Sequence, residues 1–179
     1  MLIWDEVQTG FCRTGKRFAW QWEDAKPDLM AVGKPLGGGI LPVAAAVGTS
    51  EVMSVFKPGD HGSTFGGNPL GCVVALTALA EMETEDFCGK SERKGQRLLE
   101  GLTAMNCPQI LELRGRGLLV GMEVTDDVDT KKLSQNLLEN GILTKETRNR
   151  TFRFTPPIVI SDEQIDSVVA RVKASFDAL

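Results

Sequence analysis

No two of the four cysteines, Cys12, Cys72, Cys88 and Cys107, stand as C-x-x-C, and the single histidine, His61, cannot complete a zinc site with them. A thiolate–imidazole metal centre is therefore not expected, and the cysteines read as reduced packing thiols. No stretch approaches about 18 uninterrupted apolar residues, so no membrane-spanning helix is expected. No segment masses basic charge and the net charge is −4, so neither nucleic acid nor an anionic membrane is an expected partner. G-x-G-x-x-G does not occur, which removes a dinucleotide fingerprint. A phosphate-binding P-loop fails as well: it needs a glycine where Asp28 stands, and Pro35 follows Lys34 where a hydroxyl is required. No signal-peptide pattern is read, and the expected location is the cytoplasm.

What is present reads as a soluble α/β protein. Residues 2–5, 29–32 and 43–48 are short apolar runs, read as buried strands of a sheet covered on both faces. The chain opens directly on the first of them, as the second part of something longer would. Residues 24–28 are polar and contain Pro27, and Ser50 is placed as the cap of a brief helix over 51–55. Residues 57–69 are rich in glycine and proline and read as a loop. Asn68 then caps a helix that opens with Pro69 and runs to about Glu83. Its apolar residues cover more than one face, which predicts burial.

The texture changes after that helix, and a domain boundary is placed near residue 86, giving domains 1–86 and 87–179. A helix is read over 92–105 and strands over 110–114 and 118–124. A further helix runs from Thr130 to a glycine stop at Gly141, followed by strands over 142–144 and 151–154. Ser161 to Gln164 is a capping box, and Ile165, Val168, Val169, Val172 and Phe176 form the stripe of a last helix.

Three stretches carry candidate chemistry. Asp5-Glu6-Val7-Gln8 follows the first strand, and Lys34 follows the second. Ligands of α/β sheets bind at the carboxyl ends of strands, so a buried acid and a buried lysine at two such ends, as expected here, point to one site or to a structural ion pair. Gly37-Gly38-Gly39 serves a turn or clears space beside the lysine. Ser63 and Thr64, flanked by glycines just before a helix start, suit an anion, and equally suit a plain capped loop.

Together these stretches resemble the C-terminal portion of the class III aminotransferases, over nearly all 179 residues. The resemblance is carried by D-E-V-Q-T-G-F-C-R-T-G (5–15), P-D-L-M-A-V-G-K-P-L-G-G-G (27–39), H-G-S-T-F-G-G-N-P-L (61–70), L-R-G-R-G-L-L-V-G (113–121) and R-F-T-P-P (153–157). Within the class the sequence is most similar to the ornithine type, with the acetylornithine type next. The resemblance implies a fold-type-I transferase: the C-terminal part of the large parallel-sheet domain, then a small α+β domain. It implies pyridoxal 5′-phosphate (PLP) as cofactor and no metal. The implied reaction moves the δ-amino group of ornithine to 2-oxoglutarate, giving glutamate semialdehyde and glutamate.

The same resemblance implies roles. Lys34 would form the Schiff base with the cofactor aldehyde and then shuttle a proton. A free lysine amine, with a pKa of about 10.4, is a weak nucleophile at neutral pH, so its surroundings must activate it. Asp5 would pair with the pyridine nitrogen, and Gln8 would bind the phenolic oxygen. Thr64, with Ser63, would hold the cofactor phosphate of a neighbouring subunit in a homo-oligomer. Arg153 would clamp a substrate carboxylate, a bidentate task that suits guanidinium. The triple glycine would leave room for a flat ring. Pro35 stands where the class usually has a small residue, and it removes one N–H directly after the lysine. The class carries its glycine-rich phosphate loop and ring-stacking aromatic ahead of Asp-Glu-Val-Gln. A chain supplying that N-terminal half is therefore the expected partner, beside a small-molecule amino acid and a 2-oxo acid. A rival reading is a non-catalytic remnant or partner subunit.

Overall fold

A computed structural model describes residues 1–23, 25–148 and 150–179. The chain divides into two compact units, Met1–Cys88 and Gly89–Leu179.

In the first unit, β1 (Ile3–Asp5) and β2 (Leu29–Val32) pair in parallel, with Ile3 opposite Leu29 and Asp5 opposite Ala31. Parallel pairing puts the carboxyl ends of both strands at one edge, which is what positions the site. β3 (Ala45–Gly48) runs antiparallel to β2, so the sheet is mixed rather than wholly parallel. Residues 33–44 hold only a 3₁₀ turn, Lys34–Gly37, and no crossover helix returns the chain to its starting end. A small core forms from Phe11, Met30, Val32 and Leu36, with Phe18, Trp20, Ala75 and Met82 packed against it.

Burial differs from the sequence expectation here. β2 alternates between half-buried and buried residues, whereas β1 and β3 lie largely exposed on either side of it. The run of apolar residues was read correctly as strand; what covers a strand is not written in its own residues. α1 (Ser50–Met53) is capped by Thr49, whose Oγ1 accepts from Val52 N at 3.4 Å, and not by Ser50. α2 (Pro69–Thr84) is capped by Asn68, whose Oδ1 accepts from Gly71 N at 2.8 Å. The helix is apolar all round, yet Leu70 and Leu76 are 63% and 67% exposed and only Gly71 is buried. Ala75 and Met82 reach the small core, and the opposite apolar face is open, which corrects the expectation of burial. Asp24, part of the polar stretch 24–28, lies outside the described residues.

α3 (Phe87–Ala104) opens five residues before the sequence reading placed it, and leads into the second unit. There β4 (Ile110–Arg116), β5 (Leu119–Val124), β6 (Lys145–Thr147) and β7 (Thr151–Phe154) form an antiparallel sheet in the order β4-β5-β7-β6. The strand expected at 142–144 is displaced to Lys145–Thr147. The short β6–β7 connection pairs Lys145 with Arg153 and Thr147 with Thr151, while Ile142 is taken into the core. α4 (Thr130–Glu139) ends at Gly141, φ 77°, and α5 (Asp162–Asp177) starts from the Ser161–Gln164 capping box. Leu98, Leu102, Val120, Met122, Phe152 and Ile165 lie at the centre of this unit's core. Each such side chain, fully removed from water, contributes about 1.5–3 kcal/mol. No helix among the described residues is long and apolar enough to cross a membrane.

Candidate active site

The carboxyl ends of β1 and β2 carry Asp5 and, one residue past Gly33, Lys34. The backbone stays paired one step beyond Asp5, because Glu6 N donates to Ala31 O at 2.8 Å. The next residues turn away from the sheet. Asp5 Oδ1 accepts from Val7 N at 3.0 Å, which orients the carboxylate, and Gly10 N donates to Glu6 O at 3.0 Å. Gln8 is thereby set opposite Lys34, and Lys34 Nζ donates to Gln8 Oε1 at 3.1 Å.

Lys34 itself is exposed and adopts φ 33°, in the left-handed region that side chains avoid. Pro35 falls in the first turn of the 3₁₀ segment, where its missing N–H is not needed, and Leu36 N closes the turn on Gly33 O at 3.0 Å. Gly38 and Gly39 take φ 59° and 76°, and a Cβ on Gly39 would meet nothing within 4 Å. Gly38 and Gly39 therefore serve the left-handed turn. Asp5 and Lys34 are both exposed, not a buried pair.

Glu6 is the residue that sequence reasoning missed. It is 0% exposed, and its Oε1 accepts from Trp20 N at 2.9 Å while Oε2 accepts from the Thr9 hydroxyl. A buried carboxylate left unpaired would be costly, and these two donors satisfy it. Glu6 thus clasps the turn that carries Gln8 to the segment around Trp20. The only signal in the sequence was a threonine three residues after an acid; Trp20 lies fourteen residues on.

Ser63 and Thr64 sit on the exposed loop ahead of α2. Ser63 Oγ accepts from Gly66 N at 3.0 Å, and Asn68 Nδ2 donates to Phe65 O at 2.8 Å, so the loop is internally braced. Neither Ser63 nor Thr64 hydrogen-bonds with Asp5, Gln8 or Lys34 among the described residues. Arg153 belongs to the second unit, half-buried on β7 between β5 and β6, and its carbonyl accepts from the Thr144 hydroxyl at 2.8 Å. No cluster of three or more histidine, cysteine or acidic side chains able to hold a metal occurs among the described residues.

An amine and a carboxamide meet at 3.1 Å beyond the ends of two parallel strands, one of which ends on Asp5, in a chain that matches the aminotransferase class-III family model over residues 1–176. The chain belongs to that family, whose members depend on PLP. It is 47% identical over 173 residues to the ornithine aminotransferase of Brevibacillus brevis and 46% identical to that of Oceanobacillus iheyensis. Each alignment covers 97% of this chain and 43% of the relative, so the chain spans less than half the length of the curated relatives it matches. Among solved structures, the ornithine aminotransferase from Toxoplasma gondii superposes with a TM-score of 0.94 at 45% identity, covering 99% of this chain and 44% of that one. An acetylornithine aminotransferase from Elizabethkingia anophelis gives 0.93 at 39% identity, covering 100% and 46%. The donor set has the chemistry PLP calls for: an amine able to take up an aldehyde and, 3.1 Å from it, an amide able to meet a phenolic oxygen, with a carboxylate on the residue that ends the neighbouring strand.

Proposed function

We propose that this chain is the C-terminal portion of an ornithine δ-aminotransferase, moving the δ-amino group of ornithine to 2-oxoglutarate. Glutamate semialdehyde and glutamate are the products. The observation that carries the reading is the Lys34–Gln8 contact of 3.1 Å beside Asp5 at two parallel strand ends. PLP, when bound, supplies the sink for the electron pair left as the substrate's C–H bond breaks.

The chain's own residues do the rest. Lys34 Nζ would hold the cofactor at its aldehyde and, when free, take up and return the substrate's proton. Gln8 accepts from Nζ, which orients the amine, and its amide N–H would be the donor for the phenolic oxygen. Asp5, whose carboxylate is oriented by Val7 N, would pair with the protonated ring nitrogen. Arg153 takes a substrate carboxylate bidentately. Ser63 and Thr64 serve the phosphate of a neighbouring subunit's cofactor in a cytoplasmic homo-oligomer. Turnover requires the N-terminal portion that the resemblance places ahead of Asp5.

Borohydride reduction of the PLP-loaded protein, followed by peptide mapping, tests the central residue. The label is expected on the peptide carrying Lys34. Label on Lys16, Lys57 or Lys145 with Lys34 unmodified overturns the assignment. The acetylornithine type is the second reading, favoured by the Elizabethkingia neighbour; a kcat/KM for acetylornithine above that for ornithine would select it.

A further inference from the structure

Among the described residues Glu6 is the only fully buried carboxylate, and it stands one residue past Asp5 and two before Gln8. Its backbone is fixed on both sides. Glu6 N donates to Ala31 O at 2.8 Å, which ties it to β2 three residues ahead of Lys34. Glu6 O accepts from Gly10 N at 3.0 Å, which closes a turn with Gln8 at its middle. The turn is tight: a Cβ on Gly10 would stand 2.8 Å from Glu6 O and 3.2 Å from Phe18 Cδ1. The Glu6 carboxylate then accepts from Trp20 N at 2.9 Å and from the Thr9 hydroxyl, which also lies 3.5 Å from Asp5 O. Hydrogen bonds to an ionised carboxylate are about twice as strong as neutral ones, so this clasp is stiff. Its one exposed product is Gln8, whose Oε1 receives Lys34 Nζ at 3.1 Å.

We propose that Glu6, together with Thr9, is a positioning residue: the buried clasp holds the turn so that Gln8 meets the Lys34 amine. The proposal rests on the reading of Lys34 as the reactive amine given above. A lysine side chain gives up more rotamer freedom than most when it is fixed, so only a partner that is itself held can keep its amine in one direction. Glu6 supplies that hold at one remove, since its own hydrogen bonds go to Thr9 and Trp20 and not to Lys34. Removing the Glu6 carboxylate frees the turn and lets Gln8 drift from Nζ. Glu6→Gln keeps an acceptor for Trp20 N and places an amide against the Thr9 hydroxyl, so it should preserve the clasp in large part.

The test reads the amine directly. The purified 179-residue chain is acetylated with limiting acetic anhydride, and the rate at each lysine is mapped by mass spectrometry, with exposed Lys57 and Lys145 as references. Gln8→Ala and Glu6→Ala should each raise the Lys34 rate by about threefold, the change that goes with losing one modest hydrogen bond, and leave the references unchanged. The Glu6→Ala/Gln8→Ala double variant should match Gln8→Ala alone, because the clasp acts only through Gln8. Glu6→Gln should lie nearer the wild type than Glu6→Ala does. A wild-type Lys34 rate in Glu6→Ala overturns the proposal, as does a further rise when Glu6→Ala is added to Gln8→Ala. If Glu6→Ala unfolds, seen as an equal rise at Lys57, Thr9→Val decides: it removes one donor at nearly constant shape. It should raise the Lys34 rate alone, and an unchanged rate overturns the proposal. Acetylation needs neither cofactor nor turnover, so its outcome is independent of the borohydride map that tests the reading above.

Discussion

Lys34 holds a backbone angle of φ 33° that its side chain disfavours, and Gln8 fixes the far end of that side chain. Strain of this kind, on the order of 1–3 kcal/mol, is kept only where the surroundings over-determine it. Gln8→Ala should leave the fold intact, release Nζ and lower kcat by about tenfold or more in the complete enzyme, measured by steady-state assay. Asp5→Asn keeps the shape and removes the charge; a loss of several kcal/mol in the proton-transfer step, about 10²–10³ in kcat, is expected. Near-normal turnover would remove Asp5 from the mechanism. Arg153→Lys should raise KM for 2-oxoglutarate more than for ornithine, and equal effects on both would point to a structural role. Cys12 supplies a pH prediction. Its folded pKa, near 12, lies above the unfolded value, so the unfolded chain loses the proton first. The stability it contributes is complete below about pH 8.5 and is lost as pH rises toward 12. The melting temperature of the reduced protein should fall across that window, less steeply in Cys12→Ser. At this scale the places of Asp5 and Lys34 at two strand ends were legible, because a strand end announces itself by the residues before it; the contact between Lys34 and Gln8 was not. Glu6 was not, since its partner Trp20 is brought near only by the folded turn.

Elements were legible where their signals are local. The Asn68 cap with Pro69, the Ser161–Gln164 box and the Gly141 stop are each written within a few residues, and each is found. Coverage is not local. The exposed faces of β1, β3 and α2 show that apolar residues declare a preference for burial without naming what buries them. The β6 shift has the same origin, since Thr151–Phe154 fixes which residues before the turn can pair. One contact between elements makes a sharp prediction. Gly95 of α3 lies so close to the turn before β5 that an added Cβ would stand 2.0 Å from the Gly117 carbonyl oxygen. Next to it, buried Ser91 Oγ accepts from Leu118 N at 3.1 Å. Gly95→Ala forces backbone apart and should cost about 3 kcal/mol or more in urea unfolding. Ser91→Ala removes that buried hydrogen bond and should cost about 1 kcal/mol. A Gly95→Ala protein of unchanged stability would mean that α3 does not sit against this turn.

The two units differ in how complete their cores are. Gly89–Leu179 has an extensive core, fifteen buried residues among those described, built on β5 and β7 and its helices, whereas Met1–Cys88 has a small core, two exposed strands and an open apolar helix face. Exposed apolar surface of that extent predicts self-association of the isolated chain, read as a mass above the monomer in sedimentation velocity. It also agrees with a chain that spans 43% of its relatives' length. In the proposed function this chain brings the amine, carboxylate and amide of an aminotransferase site, and an N-terminal portion supplies the remainder. A transamination assay with saturating PLP, ornithine and 2-oxoglutarate tests it most directly. It compares the purified 179-residue chain alone, the chain co-expressed with an N-terminal half of an ornithine aminotransferase, and that pair carrying Lys34→Ala. Turnover is predicted only for the pair with Lys34 intact. Steady turnover by a monodisperse preparation of the chain alone, or by the Lys34→Ala pair, would contradict the account.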